Sequence, residues 1–458
     1  MIVRSIDAII RMLDCDYIEN DSLYKEVKGV CIDSRQVEAG NLYVPIVGAN
    51  ANGHDYAKQA IEKGAVALLW NKNEPNPPKD VVILLVDDTL KALQKLAYAY
   101  RKSMNAKFVA VTGSNGKTST KDIVASLLKT KYKTQKTQGN LNSEFGVPLT
   151  LLSFDQDLEM GVVEMGMENL GEISLLSKLV EPDVALITNV GIAHLENLGS
   201  IENIARAKME IVDGLKADGT LILPKEDEYL RKARIEKGIV GSIRIKTFGR
   251  DGYGCDYNYS EVKAYKRGLN VTINDHEFYV DMVGGVQGAN ATAAYAICDT
   301  LFLEKDDIAK GFKAIEKTGL RNELIDYGKC LILNDAYKSN PQSAIAALDT
   351  LEEFDYEYKI VVIADMLDLG DETEMIHFNL GKQMAEYGIH EVITYGELGR
   401  YIAQGANTYC EGVKVQHFED KQAIAQYLKP YKDQNCMILF KGSRGMRLET
   451  IVNELIGE

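Results

Sequence analysis

A chain of 458 residues exceeds what one hydrophobic core usually supports, so two to four domains are expected. Its 46% hydrophobic and 26% charged residues argue against disorder, collagen-like repeats and low complexity, and a formal net charge of -15 argues against non-specific binding to nucleic acid or anionic membranes. Seven scattered cysteines with no C-x-x-C pair predict neither a disulfide framework nor a structural zinc, and no signal core or apolar run of ~18 residues is found, so a cytoplasmic protein without membrane insertion is expected.

In chain order, IVRSIDAIIRML reads as an amphipathic helix, GVCIDSR and NLYVPIV as strands, HDYAKQAIEKG as a helix and AVALLW as a strand. After a proline-rich loop at 71–78, VVILLV reads as a buried strand and TLKALQKLAYAYRK as a helix, with a first boundary near Leu85. From Ala106 the strands KFVAVT, MGVVEM, DVALITNV and GTLILP alternate with helical text, the spacing of βαβ units in a parallel sheet. The segment 253–281 reads as a hairpin excursion at the edge of that unit. A second α/β series (KCLILND, YKIVVIADM, EVITYG, CMILFKGS) begins after Gly319. The expected architecture is α/β with three domains, at 1–85, 86–318 and 319–458.

The segment KFVAVTGSNGKTSTKDIVASLLKT carries the strongest chemical signal: a strand, then glycines and small polar residues, then a helix starting near Lys117. Glycines let backbone N–H groups converge on phosphate oxygens, the helix N-terminus adds partial positive charge, Lys117 is a mobile cation and Thr118 can ligate Mg²⁺. A full G-x-x-x-x-G-K-T pattern would have glycine where this chain has Val111, so only the shorter G-x-x-G-K-T is present. Glu164 in VVEMG and His194 in TNVGIAHLENLGS each follow a strand, where open α/β sheets place ligand-binding groups. Taken singly, Glu164 reads equally as a cap or surface residue, His194 as structural, and Lys208 as a solvated partner on a charged helix face.

The strings TGSNGKTST, GNLNSEFGVPLTLL, EMGMENLGEI, ITNVGIAHLENLGS, ARAKMEI, LNDAYKSNP and FKGSRGMRLE, in this order, resemble the Mur ligases of peptidoglycan synthesis. The resemblance extends to IDSRQVEAGNLYVPIVGANANGHDY and VIADMLDLGDETEMIHFNLG, and so covers the whole chain. It implies a UDP-muramoyl-peptide-binding first domain, a central P-loop ATPase domain with a parallel sheet, and a Rossmann-like C-terminal ligase domain. It implies ATP-dependent joining of D-alanyl-D-alanine to UDP-N-acetylmuramoyl-tripeptide through an acyl phosphate, giving UDP-N-acetylmuramoyl-pentapeptide, ADP and phosphate, by a monomer.

The same resemblance implies residue roles. Thr112, Gly113, Ser114, Asn115, Gly116, Lys117, Thr118 and Ser119 would bind ATP together with Gln287, Asn290, Arg321 and Asp335. Two Mg²⁺ ions would be held by Thr118, Glu164, His194 and a carbamylated Lys208. Lys117, His194, Lys208 and Arg321 would be catalytic. Ser34, Arg35, Asn140, Asn142, Asn334, Asn340, Lys441, Ser443 and Arg444 would bind the substrates. The chain departs from the family pattern at GGVQGANATAA, which puts Val286 and Gln287 where His and Asn are usual near adenine, and at NDAYKSNP, where Lys338 and Ser339 replace Asn and Ala. Rival readings are the preceding, diamino-acid-adding ligase, folylpolyglutamate synthetase, and a P-loop switch or inactive scaffold. The intact Lys117, Glu164, His194 and Lys208 speak against the last of these.

Overall fold

The computed structural model describes residues 1–18, 23–48, 50–239, 243–265, 267–367, 369–370 and 372–457, and gathers most of the strands into three sheets. Asp368 and Asp371 of the VIADMLDLGDETEMIHFNLG string, Lys266 of the hairpin segment and Ala49 of the N-terminal string lie outside the described residues.

The first sheet has five strands in the order Asp16–Ile18, Val82–Val86, Ala67–Asn71, Leu42–Tyr43, Val30–Cys31, parallel except for the first pair. Two of these strands are shorter than their apolar text suggests. Asp33 folds its carboxylate back onto the Arg35 backbone and guanidinium, a local turn that competes with the ladder and ends the strand at Cys31. Pro45, with no N–H to donate, follows just after Tyr43. The expected N-terminal helix likewise splits. Val3–Ser5 pairs antiparallel with Glu26–Lys28, and the helix is Ile6–Leu13, capped by the Ser5 hydroxyl accepting from the Ala8 amide at 3.2 Å. The expected boundary near Leu85 falls inside the Val82–Val86 strand.

The central sheet has nine strands, ordered His276–Val280, Gly268–Ile273, Tyr257–Tyr265, Arg244–Arg250, Thr220–Pro224, Val184–Ile187, Lys107–Thr112, Met160–Glu164, Thr134–Lys136. The last seven run parallel, and the hairpin segment adds the antiparallel edge. Lys107–Thr112 lies between two later strands; from it the chain fills Thr134–Lys136 and Met160–Glu164 on one side and then crosses to Val184–Ile187 on the other, a topological switch point where such sheets open a ligand crevice. Register pairs Glu164 with Val111 and Ile187 with Thr112, so the loops after three strands leave the sheet side by side.

The third sheet orders Glu323–Tyr327, Cys330–Asp335, Cys436–Lys441, Tyr358–Ala364, Glu391–Tyr395, Lys414–Phe418 and is parallel apart from the first pair. Asp335 and Lys441 are register partners at its carboxyl end. The first and central sheets share one apolar core running from Ile2 through Leu93 and Tyr100 to Phe108 and Ile187, while the third sheet has its own two layers. A core shared across the first two sheets resists relative motion more than separate cores would.

Candidate active site

The chain leaves the Lys107–Thr112 strand through a loop that only glycine can build. Gly116 has φ +78°, and a Cβ there would lie 2.6 Å from Asn290 Oδ1; a Cβ on Gly113 would lie 1.8 Å from Thr188 Oγ1. Side chains from the neighbouring strand's loop hold the backbone in place. Thr188 Oγ1 donates to Asn115 O at 2.6 Å, and the Asn115 amide donates to Asn189 Oδ1 at 2.9 Å. The helix Lys117–Lys129 that follows has no side-chain cap, which leaves its first-turn amides and dipole to an anion. Lys117 Nζ donates to Gly113 O at 2.6 Å, and burial, reinforced by the Lys338 charge, pushes its pKa down to about 8.

Glu164, 1% exposed, ends its strand beside this helix. Thr118 Oγ1 donates to Glu164 Oε2 and Asn142 Nδ2 to Glu164 Oε1, both at 2.8 Å. A hydroxyl and a carboxylate in contact are the hard oxygen donors Mg²⁺ takes, with phosphate and water completing the shell. These residues fit one ion. The fully buried Lys121, which was not singled out in the sequence, lies 3.7 Å from Glu164 Oε2 and 3.5 Å from Asp122 Oδ1.

His194, at φ +66°, caps the short helix Leu195–Leu198, and its Nε2 lies 3.2 Å from Lys338 Nζ. An ammonium only donates, so Nε2 is the acceptor and Nδ1 carries the proton. Burial, then the charges of Lys338, Lys117 and Lys208, push the imidazole down to about 3, and it is neutral. Lys208, on helix Ile201–Met209, is 2% exposed rather than solvated. Burial, then Lys117 and Lys338, push its pKa well below 10.5. A buried amine and an imidazole already accepting from an ammonium do not form a ligand set for a second ion, and no group of three or more His, Cys, Asp or Glu suited to a metal occurs among the described residues.

The third sheet closes the other wall. Asp335 Oδ2 and Lys441 Nζ pair at 2.7 Å, and Lys441 also donates to the Lys338 carbonyl at 2.6 Å. Arg321 stacks its guanidinium over Tyr337, 4.2 Å from the ring centroid, while Arg444 pairs with Glu449 at 2.6 Å. Asn115 bridges the units directly: its Oδ1 accepts from Asn340 Nδ2 at 2.9 Å, and its Nδ2 donates to Gln342 Oε1 at 3.3 Å.

The resulting cleft, about 850 Å³, brings together residues 113–119, Asn140, Asn142, Glu164, His194, Lys208, Gln287, Asn290, Arg321, Asp335, Lys441, Ser443 and Arg444. Five expected residues do not line it. Thr112 is buried at the strand end, and Asn334 faces Glu323 at 3.3 Å. Asn340 caps the helix Pro341–Glu352 as well as bridging to Asn115. Ser34 donates to Gln59 Oε1 at 2.6 Å and Arg35 pairs with Asp33, both on the first sheet's side. Conversely, Tyr337, Lys338, Asn189 and Gln342 line the cleft and were not among the expected site residues. The available signal was position: Tyr337 and Lys338 come two and three residues after the strand-terminal Asp335, and Asn189 two residues after the Val184–Ile187 strand.

Family models described as the Mur ligase family catalytic domain, the Mur ligase middle domain and the Mur ligase glutamate ligase domain match residues 26–101, 111–298 and 320–444. The chain is 40% identical over 460 residues to the UDP-N-acetylmuramoyl-tripeptide--D-alanyl-D-alanine ligase of Bacillus subtilis (strain 168), spanning 100% of this chain and 99% of that one. Among solved structures it is similar to MurF from Acinetobacter baumannii, with a TM-score of 0.90 at 28% identity over the full length of both. The MurF ligase from Thermotoga maritima in complex with ADP matches with a TM-score of 0.80 at 28% identity, covering 94% of this chain and 98% of that one.

Proposed function

The chain belongs to the Mur ligase family, and from that premise we propose that it joins D-alanyl-D-alanine to UDP-N-acetylmuramoyl-tripeptide, with ATP converted to ADP and phosphate, in peptidoglycan precursor synthesis. One observation carries the reading onto this chain's own residues: a phosphate loop and the third sheet's cations meet in a single cleft, bridged through Asn115. We read 1–85, 86–318 and 319–458 as the units for the UDP-substrate, ATP and the incoming dipeptide. Thr318, at the last boundary, donates its amide to Asp122 Oδ2 at 2.7 Å.

In this mechanism the loop amides 113–119 and Lys117 hold the ATP phosphates, with Gln287, Asn290 and Asp335 toward the nucleoside and Thr112 supporting the loop. Thr118 and Glu164 would hold Mg²⁺, which supplies charge neutralisation on the phosphate oxygens. An oxygen of the tripeptide's terminal carboxylate attacks the γ-phosphorus, the bond to ADP breaks, and an acyl phosphate forms. The free amine of D-alanyl-D-alanine then attacks the acyl carbon and gives up a proton, and the amide forms as the C–O bond to phosphate breaks and phosphate leaves. Negative charge grows first on the phosphoryl group and then on the acyl oxygen, and Arg321, Lys441 and Arg444 would be the cations that meet it.

We assign Ser34, Arg35, Asn140 and Asn142 to the UDP-linked substrate, and Asn334, Asn340 and Ser443 to positioning around the dipeptide. Carbamylation of Lys208 is supported by its burial and lowered pKa, because the neutral amine is the form that adds CO₂. A second Mg²⁺ at His194 would require Lys338 to withdraw. We expect a monomer working in the cytoplasm, and among the described residues no helix is long and apolar enough to cross a membrane. Phosphate release measured with ATP, Mg²⁺ and UDP-N-acetylmuramoyl-tripeptide should require D-alanyl-D-alanine. Release that ignores the dipeptide overturns the reading.

A further inference from the structure

The Nε2 lone pair of an imidazole serves one partner at a time. In this chain Lys338 Nζ takes it, at 3.2 Å, and an ion ligated by the same nitrogen would sit roughly 2 Å away, against the ammonium. We propose that Lys338 is the resident cation at His194 during phosphoryl transfer, and that a divalent ion binds there only by displacing it. The proposal rests on the ligase reading above.

The backbone that carries Lys338 is held on both sides. Its own carbonyl accepts from Lys441 Nζ at 2.6 Å, and Lys441 is ion-paired with Asp335 at 2.7 Å. Two residues further on, Asn340 donates to Asn115 in the phosphate loop at 2.9 Å. From this anchored backbone the exposed Lys338 side chain reaches from the third sheet to His194 in the central unit, in the same cleft as Lys117 and Lys208.

A divalent ion placed there would add two further charges beside Lys117 and the displaced Lys338, whereas the ammonium supplies one charge and N–H donors for a phosphoryl oxygen. An ammonium has three donors, so a bond to His194 does not preclude one to phosphate. Lys338 would then be a catalytic residue delivered by the third unit, which makes phosphoryl transfer depend on that unit being docked.

The test uses the full-length protein with ADP, Mn²⁺ titrated by electron paramagnetic resonance, and wild type compared with Lys338→Met and Lys338→Arg. Wild type and Lys338→Arg should bind one Mn²⁺ per chain over the range in which Lys338→Met gains a second, roughly tenfold or more tighter than in wild type. Lys338→Met should also lose kcat at low Mg²⁺ and regain it at high Mg²⁺, with ADP affinity and Tm unchanged. Two tightly bound ions in wild type that Lys338→Met does not alter overturn the proposal. So does a parallel loss of ADP affinity and Tm in Lys338→Met with no change in ion count. Dipeptide-dependent phosphate release by wild type reports on the ligase reading alone, so the two failures are distinguishable.

Discussion

Replacing Asp122 with asparagine should destabilise the central unit by about 3–5 kcal/mol, because the residue balances a buried charge cluster. Asp122 and Glu164, with side chains 3% and 2% exposed, face Lys121 and Lys136, at 0% and 9%. Asp122 Oδ1 accepts from Lys136 Nζ at 2.7 Å, and Oδ2 accepts from the Thr318 amide at 2.7 Å. An asparagine keeps one acceptor and turns an NH₂ toward a donor, so one bond is lost and two ammonium groups are left with a single carboxylate. At ~2–4 °C per kcal/mol for a unit of this size, Tm should fall by about 10 °C. Calorimetry and urea unfolding measure the change. Adding Lys136→Met should recover much of it, since a buried pair replaced as a pair costs little. Asp122→Asn within ~0.5 kcal/mol of wild type, or simple additivity in the double variant, would mean that the buried charges are not coupled in this way. Because Thr318 lies three residues before Arg321, kcat should also drop more than ADP affinity.

Gly116→Ala should weaken ADP binding by about tenfold or more, since the left-handed backbone and the 2.6 Å approach to Asn290 together strain the loop by at least ~1–2 kcal/mol; calorimetric titration that finds unchanged affinity would remove the glycine argument. Lys208→Ala should lose turnover and regain part of it with added short carboxylic acids, whereas full activity without them rejects the carbamate role. In the third sheet, burial pushes Glu391 up, but hydrogen bonds from Tyr427, Tyr431, Gln416 and Lys414 outweigh it and hold the carboxyl below its ordinary 4.5. The unfolded chain then binds the proton more readily, so this stabilisation is complete above about pH 4.5 and is lost as pH falls below it. Urea midpoints compared at pH 6 and pH 4 should fall less for Glu391→Gln than for wild type.

How much of this could be read from the chain depended on how local each determinant is. The phosphate loop was legible because glycines, Lys117 and Thr118 lie within six residues and carry their own geometry. The central parallel sheet was legible from its regular apolar strands, and the hairpin edge from its alternation. Helix and strand ends in the first unit were not, because a carboxylate folding back at Asp33 and a cap at Ser5 overrode the apolar pattern. Lys208 reads as a solvated lysine among acids on its helix, and only tertiary packing shows it buried. Lys338 was visible as a departure from the family pattern, yet its contact with His194 spans 144 residues of sequence and two units. Asn115 was expected at the phosphates; its bridge to Asn340 and Gln342 needed the third sheet to be docked.

In the proposed reaction the tripeptide's carboxylate is activated by direct attack on ATP, in a cleft lined by Lys117, Arg321 and Lys441. The most direct measurement uses UDP-N-acetylmuramoyl-tripeptide carrying ¹⁸O in that carboxylate and follows the isotope by mass spectrometry during ligation. An acyl phosphate that collapses on the dipeptide amine predicts one labelled oxygen in each phosphate released. Unlabelled phosphate, with the displaced labelled oxygen recovered in water or in the nucleotide, would contradict it.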